Sequence, residues 1–233
     1  MRQEQVTCIV DEDTTHVKGV HLIPADMIAG QIRSFLGDVG ADCIKIGMLY
    51  SKNIIRLVAG ILDEYSSIPV VVDPVMVTSS GDKLLEEDAV QAYKDYLFPR
   101  TSILTPNKKE AEWLCGKELN EGNIEECLKD LSRWGNSVII KSVENRDFFI
   151  DYYYNPVEKV MKVYKKEGIR TRNVNGTGDS FASAIATFLS KGYGIEFAVA
   201  EAERFIQQSI ELGARFKFGK GFGPVYPYYE VQE

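Results

Sequence analysis

The run Asn173-Val174-Asn175-Gly176-Thr177-Gly178-Asp179-Ser180-Phe181-Ala182-Ser183 carries the densest set of chemically capable residues in this 233-residue chain. Gly176 and Gly178 permit a tight turn whose backbone N–H groups face outward. The small and apolar residues that follow, 181–189, read as a helix. A helix start adds unpaired N–H donors and the positive end of its dipole. With Thr177, the two glycines therefore suit an anion hole for a phosphoryl group in transfer. Asp179 in the first turn can take a proton from an attacking hydroxyl. A purely structural reading stands beside this one, because glycine turns precede many helices and Asp is a favoured cap.

Other residues of interest fall at the ends of apolar runs. Asp73 closes the run Val70-Val71-Val72. A carboxylate there needs a partner, which could be Mg²⁺, held directly or through water. An Asp-Pro turn is the bland alternative, and the place of Asp73 at a strand end of an open sheet favours the metal reading. Asn107 and Glu110 have the spacing of a helix cap and its third residue, and so of a capping box. A carboxylate at that helix start can also face a phosphate crevice. Lys141 follows the run Val138-Ile139-Ile140.

The elements that would position these residues alternate between strand and helix patterns. Strands are expected at 5–10, 43–46, 68–72, 102–104 and 137–140. Helices are expected at 24–36, 52–65, 86–98, 107–115, 124–134, 179–189 and 195–212. In 24–36, Ile28, Ile32, Phe35 and Leu36 are spaced for one buried face. Two extended runs, 148–154 and 157–164, flank Asn155-Pro156 and predict an antiparallel hairpin. Repeated βα units imply a mostly parallel sheet with helices on both faces, and ligands of such sheets lie at the carboxyl ends of the strands. No low-complexity linker or internal repeat interrupts the pattern, so residues 1–233 are expected to form a single domain.

Composition narrows the function classes. A formal net charge of −7 argues against nucleic acid or an anionic membrane as the main partner. No apolar run reaches transmembrane length, and the polar start Met1-Arg2-Gln3-Glu4-Gln5 lacks a signal-peptide pattern. Cysteines at 8, 43, 115 and 127 with only two histidines make a zinc site improbable. Cys43 and Cys115 lie in apolar patterns and are expected to be core thiols in a reducing cytoplasm.

Several stretches, taken in order, resemble the ribokinase-like kinases, and more narrowly the hydroxymethylpyrimidine and phosphomethylpyrimidine kinases of thiamine biosynthesis. They are Lys45-Ile46-Gly47-Met48-Leu49, Val72-Asp73-Pro74-Val75-Met76-Val77 with Ser80-Gly81-Asp82-Lys83-Leu84-Leu85, Leu104-Thr105-Pro106-Asn107-Lys108-Lys109-Glu110-Ala111-Glu112, and Gly221-Phe222-Gly223-Pro224-Val225. The resemblance implies a three-layer α/β sandwich and ATP-dependent phosphorylation of hydroxymethylpyrimidine and then of its monophosphate. It implies that Gly176, Thr177 and Gly178 form the anion hole, that Asp179 is the base and that Asp73 and Glu110 organise Mg²⁺. Asn107 and Lys141, with Thr177 and Gly178, would line the nucleotide phosphates. Glu12, Met48, Val75 and Asp179 would face the substrate. By analogy with relatives that carry exposed hairpins, a homodimer is expected.

The chain departs from the family pattern in four places. The pattern begins near Gln5, so an opening βα unit of about 30 residues is missing from the match. Val10-Asp11-Glu12-Asp13-Thr14 stands where the family often has Thr-Ala-Gln-Asn-Thr, and an ionised Glu12 accepts but cannot donate. Lys141-Ser142-Val143-Glu144 replaces Lys-Gly-Gly-His. Asp179 stands where the pyrimidine kinases commonly carry Cys, as it does in ribokinase and pyridoxal kinase. Pyridoxal phosphorylation is therefore the nearest rival activity. A catalytically inactive, ligand-binding homologue is a third possibility, supported by the short N-terminus and the Glu12 segment and opposed by the intact Asp73, Glu110 and Gly176–Asp179 residues.

Overall fold

A central six-stranded sheet organises the chain in the computed structural model, which describes residues 3–77, 84–85, 88–145 and 148–228. Its strands are β3 (Ile44–Ile46), β4 (Val70–Val72), β5 (Ile103–Leu104), β6 (Ser137–Asn145), β7 (Phe148–Asn155) and β8 (Val160–Glu167), in that spatial order. The first four are mutually parallel, whereas β6, β7 and β8 pair antiparallel. The expected parallel sheet and its antiparallel hairpin are both present.

Side chains on the central strands alternate between two cores, as the pleat requires. Val70, Val72, Leu104, Val138 and Ile140 pack with α1 (Ala25–Asp38), α2 (Lys52–Glu64), α3 (Ala89–Ala92), α4 (Lys108–Cys115) and α5 (Ile124–Leu131). Val71, Ile103, Ile139 and Tyr153 pack on the other face with α6 (Thr177–Ser190) and α7 (Ile195–Gly213). Both faces are covered, which explains the unbroken apolar runs in the central strands. The result is the three-layer α/β sandwich expected from the sequence.

Three local features differ from the sequence expectations. The first strand, β1, spans Cys8–Glu12 rather than 5–10, and pairs antiparallel with β2 (Val17–Leu22) in a separate two-stranded sheet. Neither face of that hairpin is buried, so its sequence carries little strand periodicity. A second small parallel sheet joins β9 (Asn173–Asn175) to β10 (Gly223–Pro224), bringing the C-terminal glycine turn beside the approach to α6. Among the described residues, the helix expected at 86–98 is α-helical over Ala89–Ala92, then widens into a π turn over Tyr93–Leu97 and tightens to a 3-10 turn at Phe98–Arg100. Pro99 bars continuation of an α-helix there.

The cysteine expectation also needs correction. Cys115 is joined to Cys127 by a disulfide, with Cα atoms 6.0 Å apart, while Cys8 and Cys43 are free. Cys115 ends α4 and Cys127 sits on the buried face of α5, so the helix pair brings together two thiols that the linear spacing leaves unrelated.

Candidate active site

The carboxyl ends of β4 and β5, the middle of β6 and the start of α6 meet at one edge of the sheet. Asp73 extends β4, and its backbone N–H still donates to the Ile46 carbonyl at 2.9 Å. This anchors a carboxylate that is only 4% exposed. Asp73 Oδ1 accepts from Lys141 Nζ at 2.9 Å and from Thr105 Oγ1 at 3.1 Å. Lys141 reaches it from β6, where its N–H donates to the Pro106 carbonyl and the residue bridges Asn107. Its ammonium also lies 5.7 Å from the centre of the Phe181 ring. A buried charge pair of this kind is costly to break on one side only.

Glu110 comes to the same edge through the start of α4. The capping box is complete, since Asn107 Oδ1 accepts from Glu110 N at 3.0 Å and Glu110 Oε2 accepts from Asn107 N at 2.9 Å. Glu110 Oε1 also accepts from the Met76 amide at 3.3 Å. The capping reading is therefore borne out, and the box leaves the Glu110 carboxyl within reach of the Asp73 charge. Burial, and then the Asp73 carboxylate, push Glu110 up to about 8, against the pull of Lys141 and the two amides.

Gly176 takes a left-handed conformation (φ 79°) at the head of α6, where no side chain caps the helix. Thr177 Oγ1 instead donates back to the Val174 carbonyl at 2.6 Å. Gly178 makes the closest approach: a Cβ there would lie 3.2 Å from Lys141 Nζ and 3.3 Å from Asp73 Oδ2. The helix start and the Asp73–Lys141 pair thus share one small space that only a glycine leaves open.

Asp179 is exposed, and its carboxylate forms an ion pair with the Lys45 ammonium. That partner was missed in the sequence. The clue was available, because Ile44 and Ile46 face the α1–α5 core, which turns Lys45 to the α6 side by strand alternation. Thr105 was likewise quoted only as part of a motif, yet its hydroxyl holds Asp73.

The expected substrate residues are placed less closely. Met48 and Val75 are half-buried on the segments that leave β3 and β4. The Met48 carbonyl accepts from Thr7 Oγ1 at 3.0 Å, which ties the N-terminal hairpin to this edge. Glu12 is exposed on β1 opposite Val17, and no ion pair joins it to the site among the described residues. Ser80 to Lys83 of the quoted loop lie outside the described residues. Among the described residues, no cluster of three or more His, Cys, Asp or Glu side chains forms a ready metal cage.

The phosphomethylpyrimidine kinase family profile matches residues 3–226. The chain is 35% identical over 227 residues to the thiamine biosynthesis bifunctional protein ThiED of Geobacter sulfurreducens, covering 94% of this chain but only 45% of that protein. The chain therefore spans about half the length of that bifunctional relative. It is 32% identical to the hydroxymethylpyrimidine/phosphomethylpyrimidine kinase of Mycobacterium bovis, covering 97% of this chain and 82% of the relative. Among solved structures, the ADP complex of Bacillus subtilis pyridoxal kinase superposes with a TM-score of 0.84 at 29% identity, covering 95% of this chain and 84% of that one. The phosphomethylpyrimidine kinase of Clostridium difficile 630 superposes with a TM-score of 0.76 at 30% identity, covering 88% and 85%. The chain belongs to the phosphomethylpyrimidine kinase family, phosphotransferases of ribokinase-like fold.

Proposed function

We propose that this chain, acting as one kinase unit, transfers the terminal phosphoryl group of ATP to hydroxymethylpyrimidine and then to its monophosphate. The observation that carries the reading is the convergence of Gly178 with the buried Asp73–Lys141 pair. Phosphoryl transfer needs positioning and charge neutralisation more than covalent chemistry, and this edge supplies both. The N–H groups of Thr177 and Gly178 stabilise charge on the moving phosphoryl oxygens. Lys141 and Asn107 hold the nucleotide phosphates. Asp179 accepts the proton of the substrate hydroxyl, and the ion pair with Lys45 holds that carboxylate in place.

The residues present fit Mg²⁺. Asp73 and Glu110 are buried carboxylates, 4% and 3% exposed, sharing one cationic neighbour, Lys141. Mg²⁺ typically takes one or two carboxylates and fills its shell with water and substrate phosphates. When bound, it supplies charge neutralisation at the phosphoryl group. Met48, Val75 and Glu12 face the pyrimidine, with Glu12 accepting from the exocyclic amine.

Pyridoxal phosphorylation is a second reading with one observation in its favour. The pyridoxal kinase of Bacillus subtilis superposes better, at a TM-score of 0.84, than the phosphomethylpyrimidine kinase of Clostridium difficile 630, at 0.76. An ATP-consumption assay with hydroxymethylpyrimidine, its monophosphate and pyridoxal offered separately decides between them. Turnover of both pyrimidines is expected. Turnover of pyridoxal alone would transfer the assignment to the rival, and silence on all three from a folded protein would overturn both.

A further inference from the structure

The bulge that carries Lys141 is held by a residue to which the proposed chemistry gives no role. In the β6–β7 ladder, Ile140 pairs with Tyr152 and Val143 with Ile150, so Lys141 and Ser142 together stand opposite Asp151. This is a β-bulge, a feature that bends a strand and re-aims a side chain. Ser142 adopts φ 60°, a left-handed conformation that L-residues other than glycine rarely take. Its backbone N–H leaves the ladder and donates to Asp151 Oδ1 at 2.7 Å.

Asp151 is itself fixed. It is 3% exposed, and its Oδ2 accepts from the Lys166 ammonium of β8 at 2.8 Å. Lys166 also bonds the buried carboxylate of Glu203 on α7. Lys141 therefore lies between two anchors. Its own amide is tied to Pro106 on the β5 side, and the next amide is tied to Asp151 on the β7 side. Without Asp151, the Ser142 N–H loses its acceptor and the left-handed backbone loses its compensation. Regular pairing would then take residue 142 back into the ladder, and moving a strand by one residue turns its side chains to the opposite faces.

We infer that Asp151 is a positioning residue for nucleotide binding, acting by clamping the left-handed Ser142 amide so that Lys141 stays aimed at Asp73 and the α6 start. The inference rests on the reading of Lys141 as a phosphate-binding residue, and the experiment separates the two. Steady-state kinetics with ATP and hydroxymethylpyrimidine varied in turn, together with thermal melts, are run on Lys141→Ala, Asp151→Ala, Asp151→Asn, Ser142→Val and the double variant Asp151→Ala/Ser142→Gly.

Lys141→Ala raises the KM for ATP if the nucleotide reading holds. Asp151→Ala then raises the same KM by about tenfold, the scale expected when a binding group is misplaced by a fraction of an ångström, and leaves the KM for the pyrimidine unchanged. Asp151→Asn keeps an acceptor for the amide and keeps the wild-type KM for ATP. Adding Ser142→Gly to Asp151→Ala restores most of the ATP affinity, because glycine takes the left-handed conformation unaided. It does not restore the melting temperature lowered by loss of the Asp151–Lys166 ion pair. Should Asp151→Ala fail to fold, Ser142→Val makes the same test at an exposed position, since a β-branched residue disfavours φ 60° and should weaken ATP binding. A raised KM for ATP in Lys141→Ala with no change in Asp151→Ala or Ser142→Val would overturn the inference alone. So would a double variant whose ATP affinity does not recover. An unchanged KM for ATP in Lys141→Ala would overturn the nucleotide reading and this inference with it.

Discussion

Replacing Gly178 with alanine should separate catalysis from folding. The added methyl would sit 3.2 Å from Lys141 Nζ and 3.3 Å from Asp73 Oδ2, tighter than ordinary contact by a few tenths of an ångström. It would occupy the space between the first turn of α6 and the buried pair, where the proposed phosphoryl group must touch the backbone. Loss of one such backbone donor costs about 2.7–4 kcal/mol of transition-state stabilisation, or roughly a hundred- to a thousandfold in kcat. The effect on stability is small and partly compensating. Alanine in a helix gains about 0.5–1 kcal/mol over glycine, and the flexible lysine tip can yield at a comparable cost. A net change within about 1 kcal/mol corresponds to roughly 2–4 °C in Tm for a domain of this size. Coupled ADP release measures the rate, and a thermal melt measures the fold. Gly178→Val should abolish turnover further, because its branches enter the Lys141–Asp73 pair. Normal turnover in a folded Gly178→Ala protein would refute the anion-hole assignment. A collapse of Tm in step with activity would show that Gly178 serves packing instead.

Three further outcomes are expected. Asp179→Ala should slow phosphorylation of hydroxymethylpyrimidine by about a hundredfold and that of its monophosphate much less, because only the hydroxymethyl group must lose a proton; equal losses in single-turnover assays would assign Asp179 a charge role through Lys45. Burial, and then the Asp151 charge, push Glu203 up to about 8, so the folded chain binds this proton more tightly than the unfolded chain and stability falls as pH rises from about 4.5 to about 8. The slope is up to about 1.4 kcal/mol per pH unit, and Glu203→Gln should flatten the Tm–pH curve over that window. Reduction of the Cys115–Cys127 bond, whose cysteines are 12 residues apart, should lower stability by about 3 kcal/mol, with an unchanged melt under reductant counting against the bridge.

Much of the layout was legible because the signals were local. The β-branched run at Val70-Val71-Val72, the capping box of Asn107 and Glu110 and the glycines before α6 each reflect the chemistry of neighbouring residues. Strand-end geometry in α/β sheets then placed Asp73, Lys141 and Gly178 at one edge before any distance was known. The pairing of the N-terminal strand with β2 and the β9–β10 pair left no signal because their faces are largely unburied or their strands are two or three residues long, so no periodicity marks them.

The sequence alone determined the order of βα units, the glycine turn and the types of residue that could handle a phosphate, since these follow from short-range sterics, hydrogen bonding and apolar period. Tertiary structure alone decided which of them touch. Only it pairs Lys45 with Asp179 across 134 positions and Lys141 with Asp73 across 68, and joins Cys115 to Cys127. It also sets Asp151 beneath the Ser142 amide. Such contacts depend on sheet register and helix docking, which arise from burying two cores at once and leave no mark in the spacing of the residues they bring together.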